Sequence, residues 1–295
     1  MSDAAPPIWP QLMATAFTQR FVDVGGVSTR ILEAGDGPPL ILLHGTGGHA
    51  EAYLRNLAAL SRRFHVIAYD MVGHGFSDKP DHPYTLDVYA DQLGGLLDAL
   101  GLERAHISGE SLGGWVAAWF ADEHPERVDR LILTTPGNIV GKPETMRTIR
   151  ESTMRAVTEA SPETVRVRLE WLFAPETRHL VSEELVDVRL AIYSLPGAEQ
   201  AMRNVLVLQE PDVRAVFGWA ESWTSRIRAP TLIIWTSDDP TGTYDEGELL
   251  ASWIPGSTLV LLEGAGHWPQ WEIPETFDRL HFEFLLDQPQ GRSSD

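Results

Sequence analysis

Cysteine is absent from all 295 residues, which excludes disulfides, thiolate metal sites and a cysteine nucleophile. Basic residues are scarce: 23 Lys and Arg face 42 Asp and Glu, a net charge of −19. Such a surface repels phosphate backbones and anionic lipid, so neither nucleic acid nor a membrane is an expected partner. The acidic residues are spread along the chain without an acidic tail, as on an ordinary solvated surface. No apolar run is long enough to span a bilayer, and Met1–Pro7 lacks the basic region and apolar block of a signal peptide. A cytoplasmic location is the expectation. Also missing are the phosphate-loop pattern G-x-x-x-x-G-K-[ST], the dinucleotide turn G-x-G-x-x-G and the zinc pattern H-E-x-x-H. No cofactor and no metal is implied, and the expected partner is a small-molecule substrate. A homo-oligomer, dimer or larger, is compatible with this composition. With 43% hydrophobic and 22% charged residues, the chain has the make-up of a soluble globular protein that folds alone.

The most informative stretch that is present is Gly109-Glu110-Ser111-Leu112-Gly113. This G-x-S-x-G follows the apolar-leaning run Ala105–Ser108 and precedes the helical-looking run Trp115–Phe120. A serine on a tight strand-to-helix turn projects its hydroxyl clear of a sheet, and the flanking glycines remove Cβ atoms that would clash there.

The rest of the chain alternates strand and helix signals. Arg20–Val24 and Val27–Leu32 flank Gly25-Gly26, a pair suited to a hairpin turn. Continuous apolar runs follow at Leu40–Leu43, Val66–Tyr69, Leu131–Leu133, Thr231–Trp235 and Thr258–Leu262, the pattern of strands buried on both faces. Helical periodicity fills most of the gaps, notably 85–100 and 112–124. The expected fold class is therefore α/β, a mainly parallel sheet flanked by helices. The alternation stops between Pro136 and about Ser225, where helical stretches at 144–159, 162–173, 182–194 and 197–209 are punctuated by prolines. This predicts a core in two parts, 1–136 and 226–295, with a helical cap inserted at 137–225. Residues 288–295 read as a frayed tail.

A serine hydroxyl needs a histidine base and a carboxylate to orient that base, and in a strand-turn-helix setting the chain order is Ser, acid, His. Asp238 and Asp239 follow the run ending at Trp235, so either carboxylate would stand at the C-terminal edge of the sheet, where open α/β folds build their sites. His267, in the glycine-rich segment Gly264-Ala265-Gly266-His267-Trp268-Pro269, is the best base among the ten histidines. His44 precedes Gly45-Thr46-Gly47-Gly48 and reads as a loop-shaping residue. The backbone of that turn, at Gly47, can aim an N–H at a tetrahedral intermediate together with the N–H of Leu112, forming an oxyanion hole.

With these residues in view, the chain from Arg20 to about Leu286 resembles an α/β-hydrolase with a helical cap. Asp70-Met71-Val72-Gly73-His74-Gly75-Phe76-Ser77 is similar to that family's D-x-x-G-x-G-x-S turn. Gly266-His267-Trp268-Pro269-Gln270-Trp271-Glu272 resembles the G-H-W-x-Q-W-E segment of the meta-cleavage product hydrolases, which break a carbon–carbon bond in ring-opened catechols. Ser182–Arg189 resembles the cap segment that carries their substrate-binding arginine. The resemblance implies that Asp239 is the catalytic acid, that Arg189 binds substrate and that Trp268 lines the pocket. Two departures stand out. Glu110 occupies the position before the nucleophile, commonly Asn in that family. The oxyanion turn reads Thr46-Gly47-Gly48-His49 in place of Gly/Ser-Gly-Pro-Gly.

The resulting expectation is a hydrolase in which Ser111, Asp239 and His267 cleave a 2-hydroxy-6-oxo-hexa-2,4-dienoate. The alternative is a carboxylesterase or lactonase, because the same residues serve any acyl transfer. A noncatalytic receptor on this fold would gain nothing from an intact oxyanion turn. An epoxide hydrolase or dehalogenase needs a carboxylate nucleophile where this chain has Ser111.

Overall fold

Four consecutive residues that never touch water, Leu40–Leu43, sit in the middle of the sheet. That explains why the sequence there shows no alternation: helices cover both faces of the strand. In the computed structural model residues 7–137 and 139–287 are described; the tail at 288–295 and the start of the Met1–Pro7 segment lie outside them. The eight strands are β1 Phe17–Val24, β2 Val27–Ala34, β3 Pro39–Leu43, β4 His65–Tyr69, β5 Ala105–Glu110, β6 Val128–Thr134, β7 Thr231–Thr236 and β8 Thr258–Leu262. Their order in the sheet is β1-β2-β4-β3-β5-β6-β7-β8. β1 and β2 form the antiparallel hairpin expected around Gly25-Gly26, and β2 is antiparallel to β4. From β4 to β8 every pairing is parallel. The C-terminal ends of β3, β5, β7 and β8 therefore share one edge, which is where a parallel α/β sheet presents its loops.

β6 and β7 are neighbours in the sheet, yet the described residues between them make no strand. They form the helices Pro143–Thr158, Pro162–Leu172, Glu183–Tyr193, Ala198–Val205, Pro211–Phe217 and Glu221–Thr224. Local chemistry sets several of their starts. Proline occupies the first turn at 143, 162 and 211, where its missing N–H has no acceptor to lose. Ser161 and Thr164 cap each other reciprocally, and the Ser182 side chain accepts from the amide of Leu185.

One helix differs from the sequence expectation. The stretch 197–209 is α-helical only to Val205 and then tightens into a 3₁₀ turn over Leu206–Gln209. Leu206 and Leu208 of this turn are both buried.

Candidate active site

The elbow is built by sterics. A Cβ on Gly109 would lie 2.1 Å from the carbonyl oxygen of Gly113, and one on Gly113 would lie 2.3 Å from that of Leu43. Only glycine lets β5 turn into the helix Leu112–Glu123 at this spot. Ser111, between them, is held at φ 55° and ψ −116°, an unfavourable backbone for a residue with a Cβ. It is kept there by its own N–H donating to Thr134 and by its carbonyl accepting from Trp115 and Gly137. The serine hydroxyl thus faces a cavity shared with Gly45, Thr46, Glu110, Leu112, Arg168, His267 and Trp268, among others.

His267 reaches the same cavity from the loop after β8. Its Nδ1 lies 2.9 Å from Oδ1 of Asp239, which follows β7. Asp238 goes elsewhere: its carboxylate accepts from Ser237 Oγ at 2.6 Å near the surface. Asp239 is oriented by Thr241, whose N–H and hydroxyl each donate to Oδ1 at 2.8 Å. The two-residue spacing is that of an Asx turn, a signal present in Asp239-Pro240-Thr241 and unused in the sequence reading. Desolvation works against charge on His267, but Asp239 and then Glu110 outweigh it, and its pKa lies above the ordinary histidine value.

The loop holding His267 is itself gathered by one carboxylate. Glu272 Oε2 accepts from the amides of Gly266 at 2.8 Å and Ala174 at 2.9 Å, and Oε1 accepts from that of Trp268 at 3.0 Å. The glutamate of the G-H-W-x-Q-W-E segment therefore acts as a backbone clasp joining the base loop to the helical region.

Glu110 lines the cavity. Oε1 lies 3.2 Å from Nε2 of His267. Burial pushes its pKa up to about 7 against the opposing pull of His267.

The other expected residues are distributed as follows. Leu112 lines the cavity with Ser111, but Gly47 does not. Gly47 borders a neighbouring recess with Tyr193 and Met202, and its carbonyl accepts from the Tyr193 hydroxyl at 3.2 Å. The turn residues that share the cavity with Ser111 are Gly45 and Thr46, and Gly47 is not brought to it. Gly47 has φ +67°, a backbone conformation that favours glycine. His44 is structural, its Nδ1 beside the carbonyl of Gly45 at 2.9 Å and its Nε2 accepting from the amide of Met71 at 3.1 Å. Burial holds its pKa well below the usual value, so it is neutral.

Trp268 is a wall of the cavity and 3% exposed. Arg189 stands behind it, its guanidinium 5.3 Å from the Trp268 ring and donating to the Tyr193 hydroxyl at 3.1 Å. The cation on the cavity wall is Arg168, which the sequence reading did not single out. It is 5% exposed and donates through Nε to Thr153 at 3.2 Å. Its signal was an arginine placed among Val165, Leu169 and Leu172 on the buried face of one helix. Burial lowers its pKa to about 10. Among the described residues neither arginine has a carboxylate partner within ion-pair distance, and Arg189 Nε and Nη2 and Arg168 Nη1 are buried without a hydrogen bond. Among the described residues no three metal-ligating side chains come together, and no helix is long and apolar enough to cross a membrane.

A nucleophile elbow, a carboxylate-held histidine and an eight-stranded, mostly parallel sheet define the class, and comparison with known proteins agrees. A family model described as the alpha/beta hydrolase fold matches residues 38–274, and the chain belongs to that family of hydrolases. Within it, the chain is 34% identical to a 2-hydroxy-6-oxo-6-phenylhexa-2,4-dienoate hydrolase of Comamonas testosteroni, over 86% of this chain and 89% of that protein. It is 33% identical to a 2-hydroxymuconate semialdehyde hydrolase of Pseudomonas sp. strain CF600, over 91% and 94%. Among solved structures it is similar to the meta-cleavage product hydrolase CumD from Pseudomonas fluorescens IP01, with a TM-score of 0.77 and 31% identity over 90% of this chain and 97% of that one.

Proposed function

We propose that this chain cleaves a carbon–carbon bond in an anionic 2-hydroxy-6-oxo-hexa-2,4-dienoate, using Ser111 as nucleophile, His267 as base and Asp239 as its orienting acid. The observation that carries the substrate class is the buried Arg168 on the cavity wall, which has no carboxylate partner among the described residues, with the likewise unpaired Arg189 behind Trp268. An uncompensated buried cation is costly, and an anionic ligand offsets that cost.

The chemistry follows from the placement of each group. The dienol first ketonises, so that the leaving carbon can accept a pair of electrons. Ser111 then attacks the ketone while Nε2 of His267 takes its proton, and Asp239 stabilises the imidazolium formed. The oxyanion is met by the N–H of Leu112, at the start of a helix where amides have no helical acceptor, and by the Thr46 side of the turn. An acyl-enzyme results, and water activated by His267 releases it. The helices between β6 and β7 act as a cap that brings Arg168 to the wall of this cavity, with Arg189 behind Trp268.

The test is a comparison of kcat/KM across a panel of ring-fission dienoates and neutral p-nitrophenyl esters. Dienoates preferred by a factor of roughly a hundred or more support the reading. A preference for esters would make the chain a carboxylesterase or lactonase.

A further inference from the structure

Glu110 is the buried titratable group for which the scheme above has no use. It ends β5, directly before the nucleophile, and is 1% exposed. No side chain gives either carboxylate oxygen an aligned hydrogen bond among the described residues, the Gly45 amide is the backbone donor that pulls on the carboxylate, and Oε1 stands 3.2 Å from Nε2 of His267. The imidazole therefore has a carboxylate at each ring nitrogen, Asp239 at Nδ1 and Glu110 at Nε2. Nε2 is the nitrogen that must take and return the proton of Ser111. The space is kept for this carboxylate: a Cβ on residue 45 would lie 2.7 Å from Glu110 Oε2 and 2.8 Å from the Ser111 Cβ. Glu110, Ser111 and His267 all line one cavity, so the carboxylate is within reach of whatever is bound there. As a purely structural residue it would be a poor choice, since an unsatisfied buried carboxylate destabilises a fold that an amide or apolar side chain could complete.

We propose that Glu110 is a second proton carrier of the active site, exchanging a proton with Nε2 of His267 and delivering it to the leaving group. When Ser111 attacks the acyl carbon, its proton passes to Nε2. Nε2 passes that proton to Glu110 Oε1, leaving the imidazole neutral. As the bond between acyl carbon and leaving atom breaks, its electron pair stays with the leaving group, which takes the proton from Glu110. The carboxylate is restored, and the neutral imidazole takes a proton from the water that attacks the acyl-enzyme. Ser111 recovers that proton from Nε2 when the acid is released. Two groups then share work that otherwise falls in sequence on one. The environment suits such an exchange: Glu110 is pushed up to about 7 chiefly by burial, while His267 lies above its ordinary value. The charged and titratable groups that act on Glu110 are His267, Asp239, Arg189, Arg168 and Tyr53.

This inference rests on acyl transfer by Ser111 and His267, and not on the carbon–carbon bond being the one cleaved. Its test is accordingly made with esters of one acyl group whose leaving groups run from 4-nitrophenol, which departs without a proton, through phenol to ethanol. Glu110→Gln is expected to cost only a few-fold with the nitrophenyl ester and roughly a hundredfold with the ethyl ester, steepening the dependence on leaving-group basicity. Its kcat profile should also lose an inflection near neutrality, and Glu110→Asp, which keeps a carboxylate, should recover part of the ethyl ester activity. An equal loss for every leaving group, or a change in KM alone with the pH profile intact, would overturn the proposal. A wild-type enzyme that hydrolyses esters but no dienoate would remove the substrate reading and leave this one standing; one that hydrolyses dienoates but no ester would overturn this one and leave the substrate reading; one that hydrolyses neither would remove both.

Discussion

At the scale of single residues, the site is decided by which atom each side chain meets. Asp238 and Asp239 are adjacent in sequence, yet only Asp239 meets His267, while Asp238 bonds to Ser237 at the surface. Asp239→Asn should therefore cost on the order of 10⁴ in kcat, because the amide favours the wrong imidazole tautomer. Asp238→Asn should cost far less, and stopped-flow kinetics of both variants gives the ranking. Ser111→Ala should fold as the wild type, by circular dichroism, and lose turnover altogether, since no cysteine or second elbow can replace it.

At the scale of elements, two contacts between the base loop, the helical region and the sheet set the working geometry. Glu272 collects three backbone amides from two segments, and such charge-assisted bonds are the stronger ones in a fold. Glu272→Gln would turn an NH₂ group toward N–H donors. It should lower kcat by roughly tenfold or more and the melting temperature by several degrees, for a loss of about 2 kcal/mol; unchanged values of both would show that the loop is held by other means. The second contact is the pair of arginines on the helices Pro162–Leu172 and Glu183–Tyr193. Arg168→Met keeps an aliphatic stem of similar reach and removes the guanidinium, with its contact over the Trp171 ring at 5.0 Å. For an anionic dienoate the lost contact is worth on the order of 2–5 kcal/mol, so kcat/KM should fall by roughly a hundredfold, with a much smaller loss for neutral esters. Equal losses for both substrate types would assign Arg168 to packing.

At the scale of the whole molecule, the end of the described chain is tied back to its beginning and centre. His281, in the helix Pro274–Leu286, meets Ser108 of β5 at 2.9 Å. Asp278 of the same helix accepts from Asn56 at 2.9 Å. Burial pushes the Asp278 pKa up to about 7, with the Asn56 bond opposing it. For an acid raised in this way, the unfolded chain ionises at lower pH than the folded one. Stability is therefore present in full below the ordinary carboxylate range and is lost as pH rises toward 7, by on the order of a few kcal/mol. The melting temperature should fall between pH 5 and pH 8, and Asp278→Asn, which still accepts from Asn56, should flatten that slope. An identical slope in the variant would assign the pH dependence to another group, of which Glu110, raised in the same direction, is the first to try.

What the sequence determined alone was everything that local spacing encodes. Apolar runs specified β3, β4, β6 and β7 as strands buried on both faces, and glycines around Ser111 specified the elbow, because each depends on neighbours within a few residues; the similar run Thr258–Leu262 is instead the edge strand β8, with only Leu262 buried, since the end of a sheet lacks a covering neighbour. The proximity of Ser111 to His267 was legible too, since parallel strands deliver their C-terminal ends to one edge. Tertiary structure alone decided the rest. Which residues of the turn after β3 share the cavity with Ser111, Gly45 and Thr46 and not Gly47, depends on how that turn packs against the helical region. That Arg168 stands on the cavity wall with Arg189 behind Trp268 depends on how two helices pack across the sheet edge. The direction of Glu110 was equally hidden. Its neighbours in the chain say only that a carboxylate precedes the nucleophile, whereas its contact with Nε2 of His267 is made by a loop more than half the chain away, and a charge takes its chemistry from what surrounds it in space.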